Sequence, residues 1–243
     1  MIRYTHKYCS TCGAQNELGC ERCVSCGSSA FKTTELHAKE STARKGDWQQ
    51  TYTGRAIWSL DPRPEDVDIR DIAHALSLQC RFAGHSRFHY SVAQHSIMVR
   101  DLVNWYADCA DIPAEDMPTD KEWGPIELTA LLHDASEAYL IDVPRPLKPH
   151  LPEYKVAENA WEQVIATRYG LTHPMPKLVK WADNAALAIE RDALFGVQTM
   201  PWDPLPTPPI NMSVIERSRP EDIETKFLRD FYALVAELPG VKP

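Results

Sequence analysis

An apolar stretch in the middle of the chain carries charged side chains that a buried helix normally excludes. Residues 131–148 read LLHDASEAYLIDVPRPLK, which places His133 beside Asp134 and then adds Glu137 and Asp142. An unpaired charge in a low-dielectric interior is costly, so each of these groups requires a compensating partner. The stretch therefore predicts either buried salt bridges or a metal ion with a phosphate bound to it.

From about residue 58 onward, the sequence has the pattern of packed helices. Apolar residues recur at helical spacing within 68–79, and Ser91 is a candidate N-cap for the helix that follows it. Further helices are predicted over about 126–139, 153–169 and 176–197, and from a capping box at Ser218 and Glu221 to about Leu238. The segment 108–125 contains three prolines and is predicted to be a surface loop. No strand-rich region follows residue 58, so the main domain is predicted to be all-α.

Cysteines are concentrated near the N-terminus, where five of the seven lie between positions 9 and 26. This clustering suits metal binding in a reducing compartment better than a disulfide framework. Two Cys-x-x-Cys turns, each followed by glycine, can close a tetrahedral zinc site that has no open coordination position. We therefore predict a structural zinc bound by Cys9, Cys12, Cys23 and Cys26. Cys20 has the same spacing to Cys23 and is the alternative third ligand, and a redox dithiol is the alternative to zinc.

Length and composition predict a soluble protein of one main domain with a small appendage. We divide the chain into a zinc ribbon at 1–31, a polar linker at 32–57 and the main domain at 58–243. The formal net charge of −8 argues against broad attraction to nucleic acid or to an anionic membrane. No apolar run approaches the roughly 18 residues of a membrane span, and the N-terminus lacks the apolar core of a signal peptide. A cytoplasmic protein is expected.

Three predicted helices of the main domain each carry an imidazole or a carboxylate among apolar neighbours. His95 lies within SVAQHSIMV, His133 and Asp134 end the run ELTALL, and Asp183 lies within LVKWADNAALAIE. Helical cores that turn such groups inward often hold a metal ion. The alternative is a set of unrelated polar groups, each hydrogen-bonded separately in the core.

The pattern of His95, the His133-Asp134 pair and Asp183 resembles the HD-domain phosphohydrolase superfamily, which is named for its His-Asp pair. The resemblance extends over about 58–198, where HDASEAYLIDVPRPLK and QCRFAGHSRFHYSVAQH are similar to segments of 5'-deoxynucleotidases and phage deoxynucleoside triphosphohydrolases. It implies a helical HD domain, here preceded by the zinc ribbon. It also implies a nucleotide substrate, a homo-oligomer and, if the gene is phage-borne, the host cytoplasm as the compartment.

By this resemblance, His95, His133, Asp134 and Asp183 bind a catalytic divalent metal. Mixed imidazole and carboxylate ligands suit Mn, Co, Ni, Zn or Fe, and the sequence does not distinguish these ions from Mg. Such an ion neutralises charge on phosphoryl oxygens and lowers the pKa of bound water. We therefore expect cleavage of the bond between the 5'-oxygen and the α-phosphorus of deoxynucleoside mono- or triphosphates. The similarity to phage proteins suggests dATP as the preferred triphosphate.

Two acidic residues after the His-Asp pair are the candidate catalytic groups. Glu137 lies four residues after His133, hence on the same helical face, where it could act as general acid or base. The alternative is an ordinary solvated glutamate. The resemblance implies that Asp142 accepts a hydrogen bond from the sugar 3'-hydroxyl, and a turn-forming aspartate is the alternative.

The candidate substrate contacts also come from the resemblance. It implies that Arg81 and Lys148 bind phosphate, with Arg145 as a further candidate and an exposed cation as its alternative. Phe82 is expected to pack on the deoxyribose face, although core packing explains a phenylalanine equally well.

Two other functions compete with deoxynucleotide hydrolysis. An HD-type phosphodiesterase would act on cyclic nucleotides or oligonucleotides and would not cleave monoesters. A zinc-ribbon nucleic-acid-binding protein with a degenerate HD domain is the other alternative. The negative charge and the complete set of metal ligands argue against that second alternative.

Overall fold

The computed structural model describes residues 44–108, 118–208 and 216–241. It also describes residue 22 and the backbone of 7–9, 15–16 and 31–33. By its internal contacts the chain divides into two units, Met1–Arg44 and Lys45–Pro243.

The first unit contains a small antiparallel sheet. Its strands are β1 (Lys7–Cys9), β2 (Gln15–Asn16) and β3 (Phe31–Thr33), in the order β2-β1-β3. Of the predicted zinc ligands, Cys12, Cys23 and Cys26 lie outside the described residues, and only the backbone of Cys9 is described. The zinc site therefore stays a prediction.

The second unit begins with a β-hairpin made of β4 (Trp48–Gln50) and β5 (Ala56–Trp58). The segment 45–57, which we predicted to be linker, belongs to this unit. The hairpin turn is tied to the helices by Thr53, whose backbone N–H and hydroxyl donate to the two carboxylate oxygens of Asp71 at 2.6 and 2.8 Å.

Helices form most of the second unit. They are α1 (Ile69–Leu78), α2 (Val92–Asp108), α3 (Asp120–Leu132), α4 (Glu137–Leu140), α5 (Pro152–Tyr169), α6 (Lys177–Leu194) and α7 (Pro220–Glu237). The prediction of a mainly helical domain is confirmed for the described residues. Within this described part of the chain, no helix combines the length and the apolar character needed to cross a lipid bilayer.

Three helix boundaries differ from the sequence prediction. α3 begins at Asp120, inside the predicted loop, because Thr119 and Glu122 form a capping box there. The single helix predicted over 126–139 is interrupted by a turn at 133–136, so that α3 and α4 are separate. The N-cap of α7 is Arg219, and the predicted capping box at Ser218 is therefore wrong.

Two apolar clusters surround α2 and fix its position. One packs α1, α3, α5 and α7 around large side chains such as Trp161 and Phe227, which are fully buried. The other packs α2 against α3 and α6 through small residues such as Ala182 and Ala186. Full burial of one large apolar side chain stabilises the fold by about 1.5–3 kcal/mol. Helix α2 contributes to both clusters. Its buried polar residues, His95 and Ser96, are therefore held between them.

Candidate metal centre

Side chains from three helices converge at one buried point in the second unit. His95 of α2, His133 at the end of α3 and Asp183 of α6 each offer a ligand atom within 4.8 Å of the others. Asp134 joins them, with its Oδ2 3.1 Å from His133 Nε2 and 3.5 Å from His95 Nε2. The structure thus brings together all four residues of the predicted metal set.

The first turn of α2 orients His95. The Ser91 hydroxyl accepts from the Gln94 backbone N–H at 3.2 Å, and the Gln94 side chain accepts from the Ser91 N–H at 3.0 Å. This is a reciprocal capping box, and the predicted role of Ser91 as the N-cap is confirmed. His95 follows at once and is completely buried.

The hydrogen bonds of the two histidines determine which nitrogens are free. His95 Nδ1 lies 2.7 Å from a carboxylate oxygen of Glu190, and His133 Nδ1 lies 2.9 Å from the carbonyl oxygen of Ala130. Both partners only accept, so each neutral imidazole carries its hydrogen on Nδ1 and presents a lone pair at Nε2. The two Nε2 atoms lie 3.2 Å apart. Two facing lone pairs at this distance repel each other unless a proton or a metal ion lies between them. Histidines that bind a metal through Nε2 commonly donate their Nδ1–H to a carboxylate or a backbone carbonyl, as both do here.

The charges around the pair favour that cation. The ligand carboxyls Asp134 and Asp183 are ionised, because the two histidines lower their pKa values although burial alone would raise them. Burial and the charge of Arg81 both lower the pKa of His95. The carboxylates of Glu190 and Asp183 outweigh them and raise this pKa to about 9. His95 thus favours the protonated form near neutral pH, which shows that its surroundings stabilise positive charge.

Arg81 and Glu190 form a buried ion pair next to two of the candidate metal ligands, Asp134 and His95. Arg81 Nη2 donates to Glu190 Oε2 at 3.2 Å, and Arg81 Nη1 lies 3.6 Å from Asp134 Oδ2. Burial raises the pKa of Glu190, but Arg81 and His95 outweigh burial and lower it. Arg81 therefore lies next to the candidate ligand Asp134, and its binding of phosphate stays a prediction. Glu190 is an additional residue of the cluster.

Glu137 lies at the start of α4, buried beside a lysine. Lys148 Nζ lies 3.2 Å from Glu137 Oε1 and 2.7 Å from Glu158 Oε1, and the other Glu137 oxygen makes no hydrogen bond within the described residues. Burial and the charges of Asp134 and Asp142 raise the pKa of Glu137 well above its ordinary value, against the effect of Lys148. The Glu137 carboxyl therefore holds a proton more readily than an ordinary glutamate does.

The remaining predicted contacts lie around this centre. Arg145 Nη2 is 3.4 Å from Asp183 Oδ2, and Phe82 packs edge-on against Phe195 with ring centroids 4.9 Å apart. Asp142 follows α4, and burial raises the pKa of its carboxyl. Contact of these side chains with sugar or phosphate stays a prediction.

Four residues that sequence reasoning missed belong to the site: Gln79, Glu158, Lys180 and Glu190. Lys180 Nζ lies 2.9 Å from Asp183 Oδ2, one turn before it on α6. Glu190 lies seven residues after Asp183, hence on the same face of α6 two turns later. This spacing was the available signal for Glu190. The partners of Gln79 are about sixty residues away, and Glu158 lies on a different element from its partner Lys148, so neither contact left a periodic signal.

A cavity of about 60 Å³ opens beside His133. Its walls combine apolar residues with polar ones, among them Ser136, Glu162, Thr172 and His173. This exceeds the roughly 10–15 Å³ that one water molecule needs, so the cavity has room for water next to His133.

Comparison with known proteins gives relatives without a stated activity. No protein-family model matches the chain. The uncharacterized protein YfdR of Escherichia coli (strain K12) is 40% identical over 142 residues, which cover 58% of this chain and 69% of YfdR. The uncharacterized protein RCAP_rcc00048 of Rhodobacter capsulatus is 28% identical over 207 residues, covering 81% of this chain and all of that protein.

Proposed function

The chain belongs to the same family as the Escherichia coli protein YfdR, and we propose that it is a metal-dependent phosphohydrolase of the HD type. It cleaves the bond between the 5'-oxygen and the α-phosphorus of deoxynucleotides. A monophosphate yields deoxynucleoside and phosphate, and a triphosphate yields deoxynucleoside and triphosphate. The observation that carries the proposal is the pair of imidazole Nε2 atoms at 3.2 Å, flanked by two ionised carboxylates.

The residues that would hold the metal are His95, His133, Asp134 and Asp183. Their donor set, two neutral imidazoles and two carboxylates, fits a divalent transition metal and leaves coordination positions for oxygen ligands. When bound, the ion supplies Lewis-acid stabilisation of the phosphoryl oxygens and lowers the pKa of water. Asp134 also lies within 3.6 Å of Arg81, whose guanidinium can bind a phosphate oxygen with charge assistance.

Glu137 is suited to protonate the leaving group. The 5'-oxygen gains negative charge as its bond to phosphorus breaks, and it needs a proton to depart as a hydroxyl. The raised pKa of the Glu137 carboxyl makes it a better carrier of such a proton than an ordinary glutamate. Lys148, 3.2 Å from Glu137, then stabilises the carboxylate that remains.

The decisive experiment is a metal-by-substrate screen with product identification. The purified chain, stripped of metal, is supplied with Mn, Co, Ni, Zn, Fe or Mg and incubated with each nucleoside mono- and triphosphate. Deoxynucleoside should appear together with phosphate or triphosphate, and Asp134→Ala should be inactive. Asp192→Ala removes an exposed carboxylate from α6 outside the cluster and should retain full activity.

Cyclic nucleotides and short oligonucleotides form the comparison arm of this screen. Cleavage of these diesters without any cleavage of monophosphates or triphosphates would replace the proposal by a phosphodiesterase. Equal activity of Asp134→Ala and the unaltered chain would refute the metal assignment.

A further inference from the structure

One amide side chain connects the two ends of α4, where both candidate catalytic acids are attached. Gln79 Nε2 donates to the carbonyl oxygen of Glu137 at 2.9 Å, and Gln79 Oε1 accepts from the backbone N–H of Asp142 at 3.1 Å. Both bonds reach across about sixty residues of sequence and touch only backbone atoms. Gln79 therefore acts on the path of the chain between the two acids and not on either carboxyl.

The backbone of Gln79 is itself held on both sides. Its N–H donates to the carbonyl of Ala75 at the end of α1, and its carbonyl accepts from the N–H of Val92 at the start of α2. Gln79 is also two residues before Arg81. Gln79 is thus fixed between α1 and α2. Its side-chain hydrogen bonds couple the position of α4 to that of α2, which carries His95.

The segment that Gln79 spans is strained. Ile141, directly before Asp142, has φ 89° and ψ 146°, a conformation that is very unfavourable for a β-branched residue. Strain of this kind persists only where surrounding contacts fix the backbone. Here Ile141 N–H donates to the Glu137 carbonyl at 2.8 Å, and Tyr154 donates to the Ile141 carbonyl at 2.7 Å. The hydrogen bond from the Asp142 N–H to Gln79 Oε1 is a third contact that fixes the backbone of this turn.

We propose that Gln79 is a positioning residue that holds the strained turn after α4 and thereby directs the Asp142 carboxyl toward the substrate. The inference rests on the proposed function. It assigns to Gln79 no contact with substrate or metal, only the two backbone hydrogen bonds through which Asp142 is placed.

The test uses Gln79→Met, which keeps the size of the side chain and removes both hydrogen bonds. A matched control is Gln49→Met, because Gln49 Nε2 donates at 2.9 Å to the carbonyl of Tyr139 in the same helix but contacts neither acid. Misplacing a reacting group by about 1 Å can slow an enzyme by about 10²-fold. We expect this loss in kcat for Gln79→Met, unchanged metal content, and nearly full activity for Gln49→Met.

A double-variant cycle separates positioning from general damage to the fold. If Gln79 acts through Asp142, adding Gln79→Met to Asp142→Asn should cause no further loss of rate. Losses that multiply would overturn the proposal, as would equal activity of Gln79→Met and Gln49→Met. If Gln79→Met does not fold, Gln79→Asn keeps the amide but is too short to reach both partners, and the same cycle applies to it.

Failure of the proposed function has a different signature. In that case the unaltered chain and Gln49→Met would both be inactive on every nucleotide with every metal, which refutes both ideas. An active unaltered chain whose Gln79 variants are equally active refutes only the role of Gln79.

Discussion

The Oε1 atom of Glu190 lies 2.7 Å from His95 Nδ1, and this contact turns His95 Nε2 toward His133 Nε2, 3.2 Å away. Both members of the Glu190–His95 pair are completely buried. The carboxylate fixes the tautomer of the imidazole and increases its basicity, as carboxylates behind metal-binding histidines do. We therefore expect metal binding to depend on Glu190, which is not one of the four candidate ligands.

Replacing Glu190 by Gln should weaken metal binding. The amide oxygen can still accept from His95 Nδ1, but the negative charge is lost, so affinity should fall by about 10- to 100-fold. Calorimetric titration of the metal-free protein with Mn or Zn measures this directly. Glu127→Gln is the control, because Glu127 accepts from Trp123 on α3 and does not contact the cluster. Unchanged affinity in Glu190→Gln would show that Glu190 only stabilises Arg81.

Replacing Glu137 by Gln should remove the proton donor. The rate of nucleotide hydrolysis should fall by about 10²- to 10⁴-fold, the usual effect of a positioned acid or base, while metal content stays unchanged. An aryl phosphate whose leaving group needs no proton should be affected much less. Loss of metal from this variant, or equal losses on both substrates, would contradict the role of Glu137 as acid.

The helical class and the convergence of the four candidate ligands could be predicted because their signals are local. His133 and Asp134 stand inside an apolar run, and a charge among apolar neighbours is visible without knowledge of the fold. The Glu190 partner of His95 has only a weak signal, its spacing from Asp183 on one helix face. Gln79 has none, because its role consists of hydrogen bonds to backbone atoms about sixty residues away.

The break between α3 and α4 could not be read from hydrophobic periodicity. The sequence through ELTALLHDASEAYL continues the helical pattern, yet residues 133–136 form a turn. There the His133 ring bonds the Ala130 carbonyl, and the Ala135 N–H bonds Leu132. These local contacts replace the regular helical hydrogen bonds at the residues that we predict to bind the metal.

The predicted zinc ribbon can be tested separately from the catalytic metal. Elemental analysis of the purified chain should find tightly held zinc, which should be lost when Cys9 and Cys12 are both changed to Ser. Changing Cys20 alone should leave the zinc in place, whereas changing Cys23 alone should remove it. Retention of zinc in the Cys9 and Cys12 double variant would contradict the ribbon. If zinc is lost when Cys20 is changed and retained when Cys23 is changed, the third ligand is Cys20 and not Cys23.

Asp68 should make the stability of the second unit depend on pH. It is the N-cap of α1 and accepts hydrogen bonds from Arg70 and Arg55, which together lower its pKa against the effect of burial. An ionised Asp68 thus stabilises the fold above the ordinary aspartate pKa of about 4, and this contribution is lost as the pH falls toward the lowered pKa. Asp68→Asn keeps an N-cap and removes the charge.

The expected loss for Asp68→Asn at pH 7 is about 1–2 kcal/mol, because its arginine partners are partly exposed and such pairs are weakened by solvent. Denaturant unfolding should show this difference at pH 7, and the difference should shrink as the pH is lowered below about 4. Asp222→Asn, at an exposed ion pair with Arg219 on α7, is the control and should change stability little. A difference that does not vary with pH would exclude the charge as its cause.

We predict that Lys148 distinguishes between substrates with one and with three phosphates. Its ammonium is shared by Glu137 and Glu158, and a phosphate chain extending from the metal would compete with these carboxylates for it. We expect Lys148→Ala to reduce triphosphate hydrolysis more than monophosphate hydrolysis, because a charge-assisted contact with the additional phosphates is worth about 1.5–3 kcal/mol. Lys155→Ala, at an exposed position of α5, should leave both rates unchanged. Equal losses on both substrates would instead mean that Lys148 acts at the α-phosphate or through Glu137, and would remove the reason to expect triphosphate hydrolysis. Competition between dATP and dCTP tests the expected preference for dATP.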